Sequence, residues 1–306
     1  MRRDTKIVTN CNIYDKKCDR APKKLMTQNP SDNEHKRKVA AGFNLASVGY
    51  DRQAVRFLAL TARRLVEIAA IESNETILDV ATGTGHSAIA LSNLVGKKGR
   101  VIGIDIAPDM LEVASANITK ANLRNIDLQL GDAENLSFKD EIFDKVVCAS
   151  GIFFLPDMLA GLKEWLRVTK PGGVVAFSSF GETSFNPMRE MYANRIQNNY
   201  GVVLPPSRGF QRLNTPQKCQ DLMQQAGFRP EDVEIHTEQL GYYLQNVNEW
   251  WDIVWHTGFR HSVSQIVPKR LEQFKTEHLA EVGELATDEG IWLDVPAIFA
   301  LGKKIG

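Results

Sequence analysis

Cysteine is scarce in this chain, with four in 306 residues: Cys11, Cys18, Cys148 and Cys219. That density excludes a disulfide-stapled scaffold, and the spacing fits no zinc site, so no metal is expected. Cys148 falls inside an apolar run and reads as a small core residue. A reducing cytosol is the simplest setting. Long apolar runs are missing too. Nothing is long enough to span a bilayer, and the start lacks the apolar stretch of a signal peptide, so a soluble, cytoplasmic protein is expected. Charge of one sign is also absent: 37 Lys and Arg stand against 37 Asp and Glu. A nucleic-acid partner is therefore not expected. The length suffices for one large α/β domain.

Residues 1–38 are polar and rich in Lys and Arg, with few large apolar side chains, and read as a disordered basic arm. The ordered domain is expected over 39–306, beginning with a lid over 40–70. Within that lid, residues 54–69 carry apolar side chains every third or fourth position, the signature of an amphipathic helix. Phe43 and Tyr50 are placed to cover a ligand.

The chain is organised around Thr76-Ile-Leu-Asp-Val-Ala-Thr-Gly-Thr-Gly-His86. A β-branched run carries Asp79, breaks into a turn of small residues and opens a helix. Strand, tight turn and helix start form the nucleotide-binding unit of a doubly wound fold. Small residues allow close backbone approach, and the helix start leaves N–H groups free. Alone, the motif suits NAD, a nucleotide sugar or S-adenosylmethionine. A second strand, Arg100–Ile104, ends at Asp105, twenty residues beyond Gly85, where a carboxylate meets ribose hydroxyls. Pro108 then starts a helix. A third strand, Ile126–Leu130, leads to Gly131-Asp-Ala-Glu134, and a carboxylate at Asp132 can accept from an adenine amino group. A fourth strand over 143–149 leads into Ser150. After a helix over 158–166 come the turn Thr169-Lys-Pro-Gly-Gly173 and a fifth strand over 174–178. Residues 233–239 alternate like a strand, and 291–301 read as a final antiparallel one.

In order and spacing, several segments resemble class I S-adenosylmethionine-dependent methyltransferases. They are Leu78–Gly85, Gly103-Ile-Asp-Ile-Ala-Pro-Asp-Met110, Gly131–Glu134, Phe143-Asp144 and Leu166-Arg-Val-Thr-Lys-Pro-Gly-Gly173. The resemblance runs from about Tyr50 to Ser179. Among subfamilies it is nearest to the ubiquinone/menaquinone-biosynthesis C-methyltransferases, which Ser47-Val-Gly-Tyr-Asp51 also resembles. The region 240–281, with Trp250-Trp-Asp-Ile-Val-Trp-His256, departs from the quinone enzymes. Ala81 stands where the family has the first glycine of its turn, and alanine fits there if the backbone stays out of left-handed space.

The resemblance implies a Rossmann-like α/β fold: a doubly wound, seven-stranded, mostly parallel sheet with its last strand antiparallel. It also implies a helical substrate cap, placed at about 180–214 and 244–288. The implied cofactor is S-adenosylmethionine. Asp105 would hold the ribose, and Asp132 with Ala133 the adenine. The turn Ala81, Thr82, Gly83, Thr84 and Gly85 would pass the methionine portion. Asp79 would face its amino group, or else cap local backbone. Tyr50, Ile106, Met110, Glu134 and Ser150 complete the expected cofactor site. Carboxylates suit a sulfonium and an ammonium, whereas a pyrophosphate prefers an unobstructed helix N-terminus.

Methyl transfer asks the protein mainly to align donor and acceptor and to exclude water. Where the acceptor must lose a proton, His256 and His86 are the candidate bases, and each serves equally as a packed residue. Phe153, Phe154, Phe180, Phe185, Trp250 and Trp251 suit an apolar, aromatic metabolite, and core packing accounts for any one of them as well. The expected activity is methylation of an O, N or C atom of such a small molecule, in natural-product or quinone biosynthesis. The competing readings are an NAD-linked oxidoreductase, against which the Lys-Pro-Gly-Gly turn speaks, and a cofactor-binding protein without catalysis.

Overall fold

The computed structural model describes residues 7–8, 30–204 and 209–306. A two-residue strand β1 (Ile7–Val8) precedes helices α1 (Pro30–Ala46) and α2 (Phe57–Ile68). The alternating core follows: β2 (Thr76–Val80), α3 (His86–Val95), β3 (Arg100–Asp105), α4 (Pro108–Lys120), β4 (Ile126–Leu130), β5 (Phe143–Cys148), α5 (Met158–Val168) and β6 (Thr169–Phe180). Then come α6 (Met188–Asn198), α7 (Pro216–Ala226), β7 (Val233–Gln239), β8 (Tyr242–Leu244), α8 (Val247–His256), α9 (Arg260–Val263), α10 (Pro268–Gly283), β9 (Ile291–Leu293) and β10 (Pro296–Lys303).

The main sheet runs β1-β4-β3-β2-β5-β6-β10-β7. The pairs from β1 to β6 are parallel, and β10 runs antiparallel to both β6 and β7. The seven expected strands are therefore present, and β1 adds an eighth at the edge, Ile7 pairing with Leu128. A sheet covered on both faces needs apolar residues on both faces of its central strands, and Ile77, Leu78 and Val80 are all fully buried. Leu65, Leu91, Leu111 and Ile118 of α2, α3 and α4 pack on one face. Leu162, Trp165, Cys219 and Met223 of α5 and α7 pack on the other. Cys148 and Cys219 are free and fully buried, and burial pushes both thiols up, that of Cys219 to about 12.

Three sequence-based boundaries need correction. Residues 30–38, expected in the disordered arm, form the first half of α1; most of 1–29, including Cys11 and Cys18, lies outside the described residues. The Lys-Pro-Gly-Gly turn belongs to β6 as a bulge. Phe143 pairs with Thr169 but Lys145 with Val174, and Gly172 takes φ +78° to bend the strand there. The segment 291–301 divides at Asp294: β9 pairs with β8 in a separate ribbon, and only β10 joins the sheet.

Candidate cofactor cleft

Asp79 lies at the end of the first parallel strand, and the turn that follows is built on it. Its carboxylate is fully buried. It accepts from Thr82 Oγ1 at 2.5 Å and from Ser87 Oγ at 2.7 Å. Burial raises its pKa to about 6, against the pull of those two hydroxyls. This side chain fastens the turn from beneath and is not among the residues that line the cleft, so a direct contact with the cofactor's amino group gains no support here. The alternative reading, a local cap, fits the geometry.

Ala81 also departs from expectation. Its φ is +53°, inside the left-handed region it was expected to avoid. Such a conformation costs a non-glycine residue about 1–2 kcal/mol. Room for the Ala81 methyl comes from Gly151, where a Cβ would stand 2.7 Å from that of Ala81. The glycine missing from the turn is thus matched by a glycine across from it. Gly103 gives way in the same manner to Thr82, whose Oγ1 would be 2.9 Å from a Cβ there.

Two further carboxylates stand at strand ends. Asp105 Oδ2 accepts from the Gly83 N–H and Oδ1 from the Ala107 N–H, both at 2.9 Å. Burial raises its pKa, and those N–H groups draw it back. Asp132 Oδ1 accepts from the Glu134 N–H at 3.0 Å, closing a local turn. Its Oδ2 accepts from Lys36 Nζ at 2.8 Å, and the same ammonium contacts Glu134 Oε2. Burial lowers the Lys36 pKa, but the two carboxylates outweigh it and leave the ammonium raised. Burial likewise raises Glu134, opposed by Lys36.

These groups surround a cleft of about 720 Å³, part of it open to solvent. Of the predicted cofactor residues, Tyr50, Ala81, Gly83, Asp105, Ile106, Met110, Asp132, Ala133 and Ser150 line it together. Others stand behind its wall. Thr84 donates to Asp51 at 2.6 Å, Gly85 caps α3 at φ +90°, and Glu134 accepts from the Asp157 N–H at 2.6 Å. Sequence reasoning missed Lys36, Val39, Gly151, Leu155 and Pro156, all of which line the cleft. Lys36, Val39 and Phe43 follow an i, i+3, i+7 spacing that could have revealed a helix face turned inward.

The predicted bases do not reach this space. His86 Nε2 lies 3.0 Å from Asp51 Oδ1, and Asp51 also accepts from Asn117 Nδ2 at 2.7 Å, so His86 is a strut between the lid and the turn. His256 is buried against Gly49, where a Cβ would come within 2.2 Å of its ring. Burial, then Arg52, lowers its pKa. Among the predicted substrate aromatics only Phe154 lines the cleft. Phe153 packs behind it with ring centroids 4.8 Å apart and the planes tilted, and Phe180 and Phe185 continue the cluster with Phe210. Trp250 is fully buried and donates to His278 Nε2 at 2.8 Å, while Trp251 stacks on Trp255. Both rings find partners on α8 and α10 and stand outside the cleft. Among the described residues no three His, Cys, Asp or Glu side chains gather in a way that could hold a metal, and no helix is long and apolar enough to cross a membrane.

Residues 34–239 match the ubiE/COQ5 methyltransferase family. Aklanonic acid methyltransferase DauC of Streptomyces sp. (strain C5) is 38% identical over 148 residues, 48% of this chain and 67% of that protein. Demethylmenaquinone methyltransferase of Staphylococcus aureus (strain JH9) is 39% identical over 131 residues, 43% of this chain but only 54% of that protein. The crystal structure of YcgJ protein from Bacillus subtilis shares the fold at TM-score 0.55 and 21% identity, covering 81% of this chain and 99% of that one.

Proposed function

This chain belongs to the ubiE/COQ5 methyltransferase family and is an S-adenosylmethionine-dependent methyltransferase, and on that premise we propose that its acceptor is a small, largely apolar aromatic metabolite. The observation that carries this reading is the ring cluster Phe153, Phe154, Phe180, Phe185 and Phe210. It meets the cleft at Phe154, beside Ser150 and Gly151.

The donor set fits the cofactor. Asp105 and Asp132 are buried carboxylates whose backbone partners fix them in place, leaving acceptor capacity for hydroxyl and amino donors. Asp105 would hold the ribose, Asp132 and Ala133 the adenine, and the backbone from Ala81 to Gly85 the methionine portion. When bound, the cofactor supplies a methyl group on a cationic sulfur that is already an activated leaving group. The chain's own part is alignment and exclusion of water, which together contribute on the order of 7–11 kcal/mol. Ser150, at φ +56° and tied to Ser178 Oγ at 2.9 Å, sets the backbone where the two ligands would meet.

Among the described residues none that lines the cleft is a histidine. The reading therefore favours an acceptor that loses its proton readily, such as an acidic phenol, a carboxylic acid or a stabilised carbanion. Natural-product metabolism is the preferred setting, because the region 240–281 departs from the quinone enzymes and DauC is matched over more of its length than the demethylmenaquinone enzyme. A cytosolic location suits the buried free thiols of Cys148 and Cys219.

The test is transfer of labelled methyl from S-adenosylmethionine to two panels. One holds polycyclic phenols and aromatic acids, and the other holds prenylated demethylmenaquinones. Uptake on the first and not the second supports the reading. Uptake confined to the second restores quinone C-methylation. Tight cofactor binding with turnover on neither points to a chain that binds without catalysing.

A further inference from the structure

Among the described residues lining the cleft the one cation is Lys36, and it comes from the segment that composition alone marks as arm. On the 17-residue helix α1 only Lys36 and Ala46 are buried. Ala46, with Phe43 beside it, packs against Ala107, Met110 and Tyr50 and anchors the C-terminal end. The N-terminal half is held instead by polar contacts. His35 Nε2 lies 3.0 Å from the Phe154 carbonyl, and Lys36 Nζ bridges Asp132 and Glu134. A lysine that is 6% exposed between two buried carboxylates is costly to leave half-paired.

We propose that Lys36 is a positioning residue that pins α1 over the Asp132 end of the cleft, so that cofactor entry and release require this ion pair to open. The proposal rests on the reading that Asp132 receives the adenine. Asp132 then does two jobs with one carboxylate, because Oδ2 takes Lys36 while Oδ1 is set by the Glu134 N–H. Glu134, whose Oε1 accepts from the Asp157 N–H, shares the ammonium and ties the pin to the loop before α5. A segment held by a few polar contacts opens at lower free energy than one held by apolar area. Opening would then swing α1 about its anchored end at Ala46. The ammonium also stands beside the adenine end, away from the turn that would pass the methionine portion, so it closes the site without opposing the sulfonium.

The experiment is release of S-adenosylhomocysteine followed by stopped-flow, in the wild type, Lys36→Met and Lys36→Arg. Lys36→Met is expected to release the product about tenfold faster or more, as befits loss of a buried pair. Release from the wild type should quicken with ionic strength, that from Lys36→Met should not, and Lys36→Arg should keep most of the slow release. A merely structural role would not make the salt dependence of release vanish with Lys36. Hydrogen–deuterium exchange on the wild type gives a second readout that needs no variant: amides of 30–42 should gain protection on product binding. Equal release rates from wild type and Lys36→Met, or exchange of 30–42 indifferent to product, would overturn the proposal. Failure of the wild type to bind S-adenosylhomocysteine at all would instead overturn the cofactor reading beneath it.

Discussion

The two walls of the cleft are held by different kinds of contact. On the sheet wall the fasteners span short stretches of chain. Asp79 reaches Thr82 and Ser87, three and eight positions along, Asp105 reaches Ala107, two along, and Gly83, 22 positions back, and Asp132 reaches Glu134, two along. On the helix wall they are remote. Lys36 meets Asp132 across 96 positions, and His35 meets Phe154 across 119. Local hydrogen bonds close with the strand ends themselves and leave a stiff, preformed surface. Remote polar contacts close last and open first. One wall is preformed, and the other is closed by contacts that can open.

Four substitutions probe the sheet wall, and their effects should fall in order. Gly151→Val places a branched side chain against Ala81, with Cβ atoms 2.7 Å apart, and neither is the free end of a flexible chain. Overpacking of this kind costs about 1–3 kcal/mol, and here it also displaces the turn. Thermal denaturation should show the loss of stability, and calorimetry should show S-adenosylmethionine affinity falling more than a hundredfold, about 3 kcal/mol by the usual conversion. Undiminished affinity would mean that the turn tolerates displacement and is not preformed.

Asp105→Ala should come next. It removes the carboxylate that would accept from the ribose and leaves the Gly83 and Ala107 N–H groups without their partner. A loss of about 2–3 kcal/mol in cofactor binding is expected, with the fold retained. Calorimetry that returns the wild-type affinity would remove Asp105 from the site.

Asp79→Asn tests the fastener through pH. The folded pKa of about 6 lies above the ordinary 3.8, so the protonated form favours the folded chain. The stability this group adds is fully present below about pH 4 and is lost as pH rises through 6, by up to about 3 kcal/mol. The stability of the wild type relative to Asp79→Asn should accordingly decline across that window in urea titrations. A flat difference would show that the Thr82 and Ser87 hydroxyls offset burial fully.

Ala81→Gly should have the smallest effect. Relief of the left-handed strain is opposed by the greater freedom of glycine in the unfolded chain, so the net change should stay within about 1 kcal/mol. A large gain in melting temperature would show that strain in this turn is a major reservoir. On the remote side, His256→Gln should lower stability while leaving the pH dependence of kcat in place, since His256 does not line the cleft. A vanished acidic limb would return it to the chemistry as a base.

Much of the fold was legible because its signals are local. Five short apolar runs, each followed by a small-residue turn or a strand-end carboxylate, fall where the parallel strands lie, and Asp105 and Asp132 stand among the residues that line the cleft. The misreadings share a cause. Residues 30–38 look unfoldable because their stabilisation comes from Asp132 and Glu134, far along the chain. His256 and Trp250 sit in a segment that looks like a site, and the partners that bury them, Gly49 and His278, lie outside that segment.

What this sequence determined by itself is the sheet, its turn and the carboxylates at its strand ends, because hydrophobic period and short hydrogen-bond loops depend on neighbours in the chain. Which helix covers those carboxylates, which aromatics reach the cleft and which histidines do not were decided by tertiary structure alone. Such contacts join residues about a hundred positions apart, and nothing in the local order of side chains encodes their partners.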